Sequence, residues 1–206
     1  LQLSDLPINK KIRLILGTNE ESRWDCMKHY FSVEKAPSMA FTPDADFPVI
    51  YGEKGIIGFD LIFNTSKSVG CDISLLDIRG GTAINMVPDN AKALLYVKDK
   101  TLFFNQYRRY IEETNEDITI SEDGENIIVE AKGKSAHGST PEKGENAISY
   151  LLKFLGAVYS GECSICRFIH LYNERIGFKH HGEGIGCGLE DEISGKLNFN
   201  PGLIQY

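Results

Sequence analysis

The chain has 206 residues, with 22 basic and 29 acidic side chains, a net charge of −7 and 42% hydrophobic residues. This ordinary globular composition excludes wholesale disorder and collagen-like repeats. The acidic balance argues against a nucleic-acid groove, and no apolar run is long enough to span a membrane. Five cysteines, at 26, 71, 163, 166 and 187, form an odd and scattered set. They read as reduced thiols of a cytoplasmic protein, not as a disulfide framework. The chain starts at Leu1 without a charged-then-apolar leader, so the expectation is a processed chain or a piece of something longer.

Lys11 to Leu16 reads as a short strand that stops at Gly17. Thr18-Asn19-Glu20-Glu21-Ser22 follows, and then a helical pattern with Trp24, Met27 and Phe31 at spacings of three and four. The acidic pair thus falls where a strand ends and a helix begins, the end of open α/β sheets where ligand sites collect. Phe47 to Tyr51 reads as a second strand behind the turn Thr42-Pro43-Asp44-Ala45-Asp46.

After Gly55 the texture changes. Ile57, Phe59, Leu61 and Phe63 alternate as in a half-buried strand. Strands are expected at Cys71 to Arg79 and Ala91 to Val97, with a break at Gly80-Gly81-Thr82. Thr101 to Glu113 has a broad aromatic helical face. Ile118 to Ser121 and Ile127 to Ala131 form a hairpin around Asp123-Gly124, and helices follow at Glu145 to Tyr159 and Ile165 to Ile176. A glycine-rich turn runs from Gly182 to Gly188, and a last strand lies near Leu197. The order of elements from Ala91 onward matches a ferredoxin-like α+β arrangement: an antiparallel sheet with helices on one face. Residues 1–54 form a strand–helix–strand fragment too small to bury a core alone. Residues 55–206 read as a domain.

Three features could carry chemistry. In Glu20-Glu21, one carboxylate can hold a cation while the other moves protons; acidic residues in a first helical turn also simply suit the helix dipole. Asp44 and Asp46 are ordinary turn formers as well as possible ligands. His137 lies among small residues in Lys134-Ser135-Ala136-His137-Gly138-Ser139-Thr140-Pro141, where a substrate could approach the ring closely; a surface loop histidine has the same look. Cys163-x-x-Cys166, with His170, His180, His181 and Cys187 downstream, has zinc-like residue types but no second close pair. The Gly182 to Gly188 run fails the phosphate-loop pattern, because Cys187 occupies the third glycine place.

The segments GTNEES at 17–22, FTPDADFPVIYGEKG at 41–55, GGTAINMVPD at 80–89, GKSAHGSTPEKGENA at 133–147 and GLEDEISGKL at 188–197 resemble, in order, the M20 family of zinc metallopeptidases. Specifically, they resemble its PepV-like bacterial dipeptidases. The resemblance implies an α/β catalytic domain interrupted by a lid domain. It implies two zinc ions, with manganese or cobalt as substitutes, and hydrolysis of dipeptides by a metal-activated water. Glu20 matches the general base, Glu21 a metal ligand and Asp44 the carboxylate ligand of the other metal, with Asp46 the weaker candidate. His137 matches the lid histidine that reaches the substrate carbonyl, and Asn85 an asparagine that holds the substrate. The family's other ligands and a lid arginine find no match here. The chain is therefore expected to be the middle of such an enzyme, inactive by itself, with residues 1–54 from the catalytic domain and 55–206 an incomplete lid. An N-acyl amino-acid deacylase of the same family and a non-catalytic oligomerisation module are the alternatives. The expected partner is a dipeptide, with no nucleic acid and no membrane.

Overall fold

Four runs of alternating apolar and polar residues become the body of one antiparallel sheet. The computed structural model describes residues 10–20, 23–44, 50–64, 71–159, 161 and 163–206. The strands are β1 (Ile73–Gly80), β2 (Asn90–Val97), β3 (Ile118–Asp123) and β4 (Asn126–Lys132), and the short β7 (Ile204–Gln205) adds an edge. Their order is β3-β4-β2-β1-β7, every pairing antiparallel. The chain divides into two compact units, Leu1–Gly52 and Glu53–Tyr206, and the whole main sheet belongs to the second.

Along β2, Ala91, Ala93, Leu95 and Val97 point into the core, and Ile127, Val129 and Ala131 do so along β4. Strict alternation fails in β1, where Leu75 and Ile78 are both buried. The pairing register slips between Leu75 and Asp77. This bulge turns Ile78 inward at the cost of exposing Leu76. The opposite face of the sheet carries Leu94 and Tyr96 among ion pairs such as Lys92–Glu130, at 3.2 Å.

Helices α2 (Lys100–Thr114), α3 (Ala147–Val158) and α4 (Ser164–Arg175) share the core with the buried face of the sheet. Small residues set how closely α3 approaches: a Cβ on Gly80 would lie 2.7 Å from Ile148. Phe154 of α3 is fully buried. The rings of Phe103, Tyr107 and Tyr110 from α2 meet it edge-on at centroid distances of 6.0, 6.0 and 5.2 Å. Each such pair contributes about 1 kcal/mol beyond the area it buries. Tyr110 donates to Glu116 at 2.5 Å, and Lys153 of α3 pairs with the same carboxylate at 2.5 Å. Burial, and then the Glu116 carboxylate, raise the Tyr110 hydroxyl above its ordinary pKa. Ser149 ties α3 to α4 through Tyr172, at 3.0 Å.

The sequence expectations for β1, β2, α2, the β3–β4 hairpin, α3 and α4 correspond to observed elements within a few residues at each end. Others fail. Lys11 to Leu16 forms no strand; Ile12, Leu14 and Leu16 are 65%, 73% and 81% exposed. An alternating run becomes a strand only beside a hydrogen-bonding neighbour, and none adjoins it among the described residues. Instead Arg13 reaches helix α1 (Asp25–Val33), donating to Tyr30 Oη at 2.6 Å and to the Lys35 carbonyl at 3.1 Å. The expected strand at Phe47 to Tyr51 lies partly outside the described residues, and its described part, Ile50 and Tyr51, is exposed and unpaired in any ladder. Ile57 to Phe63 is no strand either. Phe59 and Phe63 pack by their rings on Phe199 and Phe168, at 6.3 and 5.4 Å, and no ladder forms. The strand expected near Leu197 is a separate two-stranded ribbon, β5 (Glu190–Asp191) with β6 (Gly195–Lys196). The terminal strand of the main sheet is β7, where Ile204 meets Gly80.

Candidate active site

At one end of the main sheet, the loop from β1 to β2 and the loop from β4 to α3 are stitched together by their backbones. Met86 and His137 form an antiparallel bridge. Val87 donates to the Ala136 carbonyl at 2.8 Å, and Gly138 donates to the Asn85 carbonyl at 2.6 Å. The fit is close, because a Cβ on Gly138 would lie 2.9 Å from that carbonyl oxygen. Two residues 52 positions apart in the sequence, Asn85 and His137, are thereby brought to adjacent positions on paired segments.

His137 is exposed at this seam. Its Nδ1 accepts the backbone N–H of Ser139 at 3.2 Å and lies 2.7 Å from Ser139 Oγ. An Nδ1 that accepts a backbone N–H cannot also carry the proton of the neutral ring, so that proton sits on Nε2. The side chain is therefore set up as a hydrogen-bond donor through Nε2.

A third segment, 198–202, holds the two loops from beside them. Asn200 Nδ2 donates to the Met86 carbonyl at 2.8 Å, and Asn198 Nδ2 donates to the Ser139 carbonyl. Asn146 Nδ2 donates to the Pro201 carbonyl at 3.0 Å. Asn200 Oδ1 is buried and has no hydrogen-bond donor. Sequence reasoning missed these supports. The signal available was the Asn198-Phe199-Asn200-Pro201 run, which reads locally as nothing more than a turn.

The two described carboxylates, Glu20 and Asp44, belong to the first unit. Glu20 occupies an exposed turn before α1, and Asp44 is exposed in an irregular segment. Glu21 and Asp46 lie outside the described residues. Among the described residues, neither Glu20 nor Asp44 joins two further histidine, cysteine, aspartate or glutamate ligands in a group tight enough for an ion. Two exposed carboxylates without an imidazole do not by themselves make a zinc centre.

The Cys163–Cys166 pair does find a partner, but not the histidines or Cys187. Cys71 joins it from just before β1, and all three ligand atoms lie within 4.8 Å of one another. Burial first, and then a hydrogen bond with Cys163, push the Cys166 thiol up to about 12. The Cys71 thiol is also raised, chiefly by its hydrogen bond with Cys163 and then by burial.

Residues 126–205 match the M20 family model described as a peptidase dimerisation domain. The match includes β4, the His137 loop, α3, α4 and the 198–202 segment. Proteins named "Putative dipeptidase" are similar along nearly the whole chain. That of Staphylococcus haemolyticus is 34% identical over 210 residues, covering 99% of this chain and 44% of its own length. Its counterpart in Staphylococcus epidermidis is 38% identical over 201 residues, covering 96% and 42%. The chain thus spans less than half the length of these curated relatives. Both findings support a relationship to the M20 peptidases.

Proposed function

We propose that this chain is the central part of an M20 dipeptidase, with residues 1–54 from its catalytic domain and residues 55–206 forming its lid. The names of the relatives support the dipeptidase reading over the deacylase one. In this reading the sheet is a ferredoxin-like arrangement of β2, β3, β4 and β7 with β1 inserted between β2 and β7. Glu20 is the general base, Glu21 and Asp44 are carboxylate ligands for zinc, and further ligands come from outside these residues. His137 and Asn85 hold the substrate. Among the described residues no helix is long and apolar enough to cross a membrane.

The observation that carries the reading is the state of His137. Its Nδ1 is occupied by the Ser139 amide, which leaves Nε2–H to donate. A donor poised at a peptide carbonyl stabilises the charge that builds on its oxygen during attack. The Asn85 amide, on the segment bonded to the histidine's neighbour, supplies a second polar group for the same ligand. The test is a panel of dipeptides and N-acyl amino acids offered to the full-length protein. Dipeptides are turned over, and His137→Ala loses most of kcat while KM changes little. Preferential turnover of N-acyl amino acids would transfer the reading to the deacylase branch. A raised KM with kcat unchanged would remove His137 from the transition state.

The description of the matched domain supports self-association of the second unit. Sedimentation of the chain at several concentrations reads this directly: a concentration-dependent dimer is expected.

A further inference from the structure

The thiol cluster lies away from Glu20, Asp44, Asn85 and His137 in sequence, and the proposed hydrolysis makes no use of it. Cys163 caps the N-terminus of α4, and its Sγ accepts the Cys166 N–H at 3.3 Å. Cys166 sits in the first turn, 1% exposed, and Cys71 is 8% exposed. Cys163 is half-buried and gives the cluster its access to solvent. Cys163 Sγ and Cys166 Sγ are 2.7 Å apart. A redox pair needs only those two sulfurs. The fold brings a third from 92 positions earlier in the chain, and three sulfurs at this spacing are a ligand set.

We propose that Cys71, Cys163 and Cys166 bind one soft d10 cation, zinc or copper(I), as thiolates. Sulfurs each about 2.3 Å from one ion lie roughly 4 Å from each other, which the 4.8 Å cluster accommodates. The Cys163–Cys166 separation of 2.7 Å must open by about 1 Å to reach that spacing. A bound cation supplies the positive charge that buried thiolates need, so binding releases the thiol protons. Thiolates are preferred by zinc and copper(I) and shunned by magnesium and calcium. A further group awaits a role beside them. Tyr159 is 5% exposed, and its hydroxyl has no hydrogen-bond partner among the described residues. A buried hydroxyl left unpaired is costly, and a charged sulfur or a metal-bound water nearby would satisfy it.

The experiment is titration of the reduced chain with zinc, and separately with copper(I), against a chromophoric chelator. One equivalent of ion per chain is expected. Cys71→Ser and Cys163→Ser should each weaken binding by about a hundredfold. Cys26→Ser and Cys187→Ser should leave it unchanged, which separates this site from general thiol binding. Circular dichroism establishes that the serine variants remain folded, and having two of them guards against one that does not. Tighter copper(I) binding identifies a three-coordinate site, and tighter zinc binding a site completed by water. Substoichiometric binding, or full binding retained in both serine variants, overturns the proposal. So does a Cys163–Cys166 disulfide that forms as readily with the ions as without them.

Discussion

At His137 a backbone amide decides which ring nitrogen holds the proton. The Ser139 N–H occupies Nδ1, so the donor role falls to Nε2 without help from any acid. In the full-length protein, His137→Ala should lower kcat on a dipeptide by about 10²–10³, read by steady-state kinetics. Glu20→Ala should abolish turnover with metal content intact, whereas Glu21→Ala should lose metal, measured by elemental analysis of the dialysed protein. Near-normal kcat in Glu20→Ala would exclude it as the base. Gly81 tests the frame itself. Its φ is 78°, and a Cβ there would run into the Gly202 carbonyl oxygen. A left-handed L-residue costs about 1–2 kcal/mol even without a clash. Gly81→Ala in the chain should therefore cost more than that in urea unfolding, and an unchanged midpoint would mean that the 202 segment moves aside freely.

At the scale of elements, α2 and α3 each start on a side chain that accepts from first-turn backbone amides. Asp99 caps α2, accepting from Leu102 N at 2.9 Å. Asn146 caps α3, accepting from Ile148 N at 3.0 Å and Ser149 N at 3.3 Å. The two caps differ in surroundings, and so should their energies. Asp99 is exposed, and Asp99→Ala should cost about 1 kcal/mol. Asn146 is buried and also donates to the Pro201 carbonyl. Asn146→Ala loses the cap and strands that carbonyl, for roughly 2–3 kcal/mol in total. Thermal melts of the two variants give the ranking, and equal costs would mean that water replaces the Pro201 contact. The hairpin was legible for a similar local reason: Gly124 takes the φ of 61° that its two-residue turn requires. The bulge in β1 was not, because the slip between Leu75 and Asp77 follows from pairing with β2, not from anything inside β1.

At the scale of the whole molecule, the two units differ in how much they bury. Helix α1 contains no buried residue, whereas α3 buries eight. Hydrogen exchange should find α1 and the 10–20 and 50–64 segments exchanging close to freely, with β2, β4 and α3 protected up to the global stability. Comparable protection in α1 would show a core that its exposure does not reveal. The chain by itself should hydrolyse no dipeptide, with or without added zinc, manganese or cobalt, since Glu20 and Asp44 join no ligand cluster among the described residues. Turnover that disappears in Glu20→Ala would overturn this.

The amino-acid sequence by itself determined what is encoded locally. Apolar patterning, a helical aromatic face and the turn at Asp123-Gly124 place β1 to β4 and α2 to α4, and the ordered motifs mark His137 and Asn85 as candidates. Those signals act over a few residues, where φ preference and burial of one face suffice. Tertiary structure alone decided the rest. It left the alternating runs at Ile12 to Leu16 and Ile57 to Phe63 without ladders, because a strand exists only through a neighbour's hydrogen bonds. It joined Asn85 to His137 through Met86 and Gly138, recruited Asn198 and Asn200 as props, and brought Cys71 to Cys163 and Cys166. Each of these is a contact between distant positions, and no local periodicity carries the distance between them.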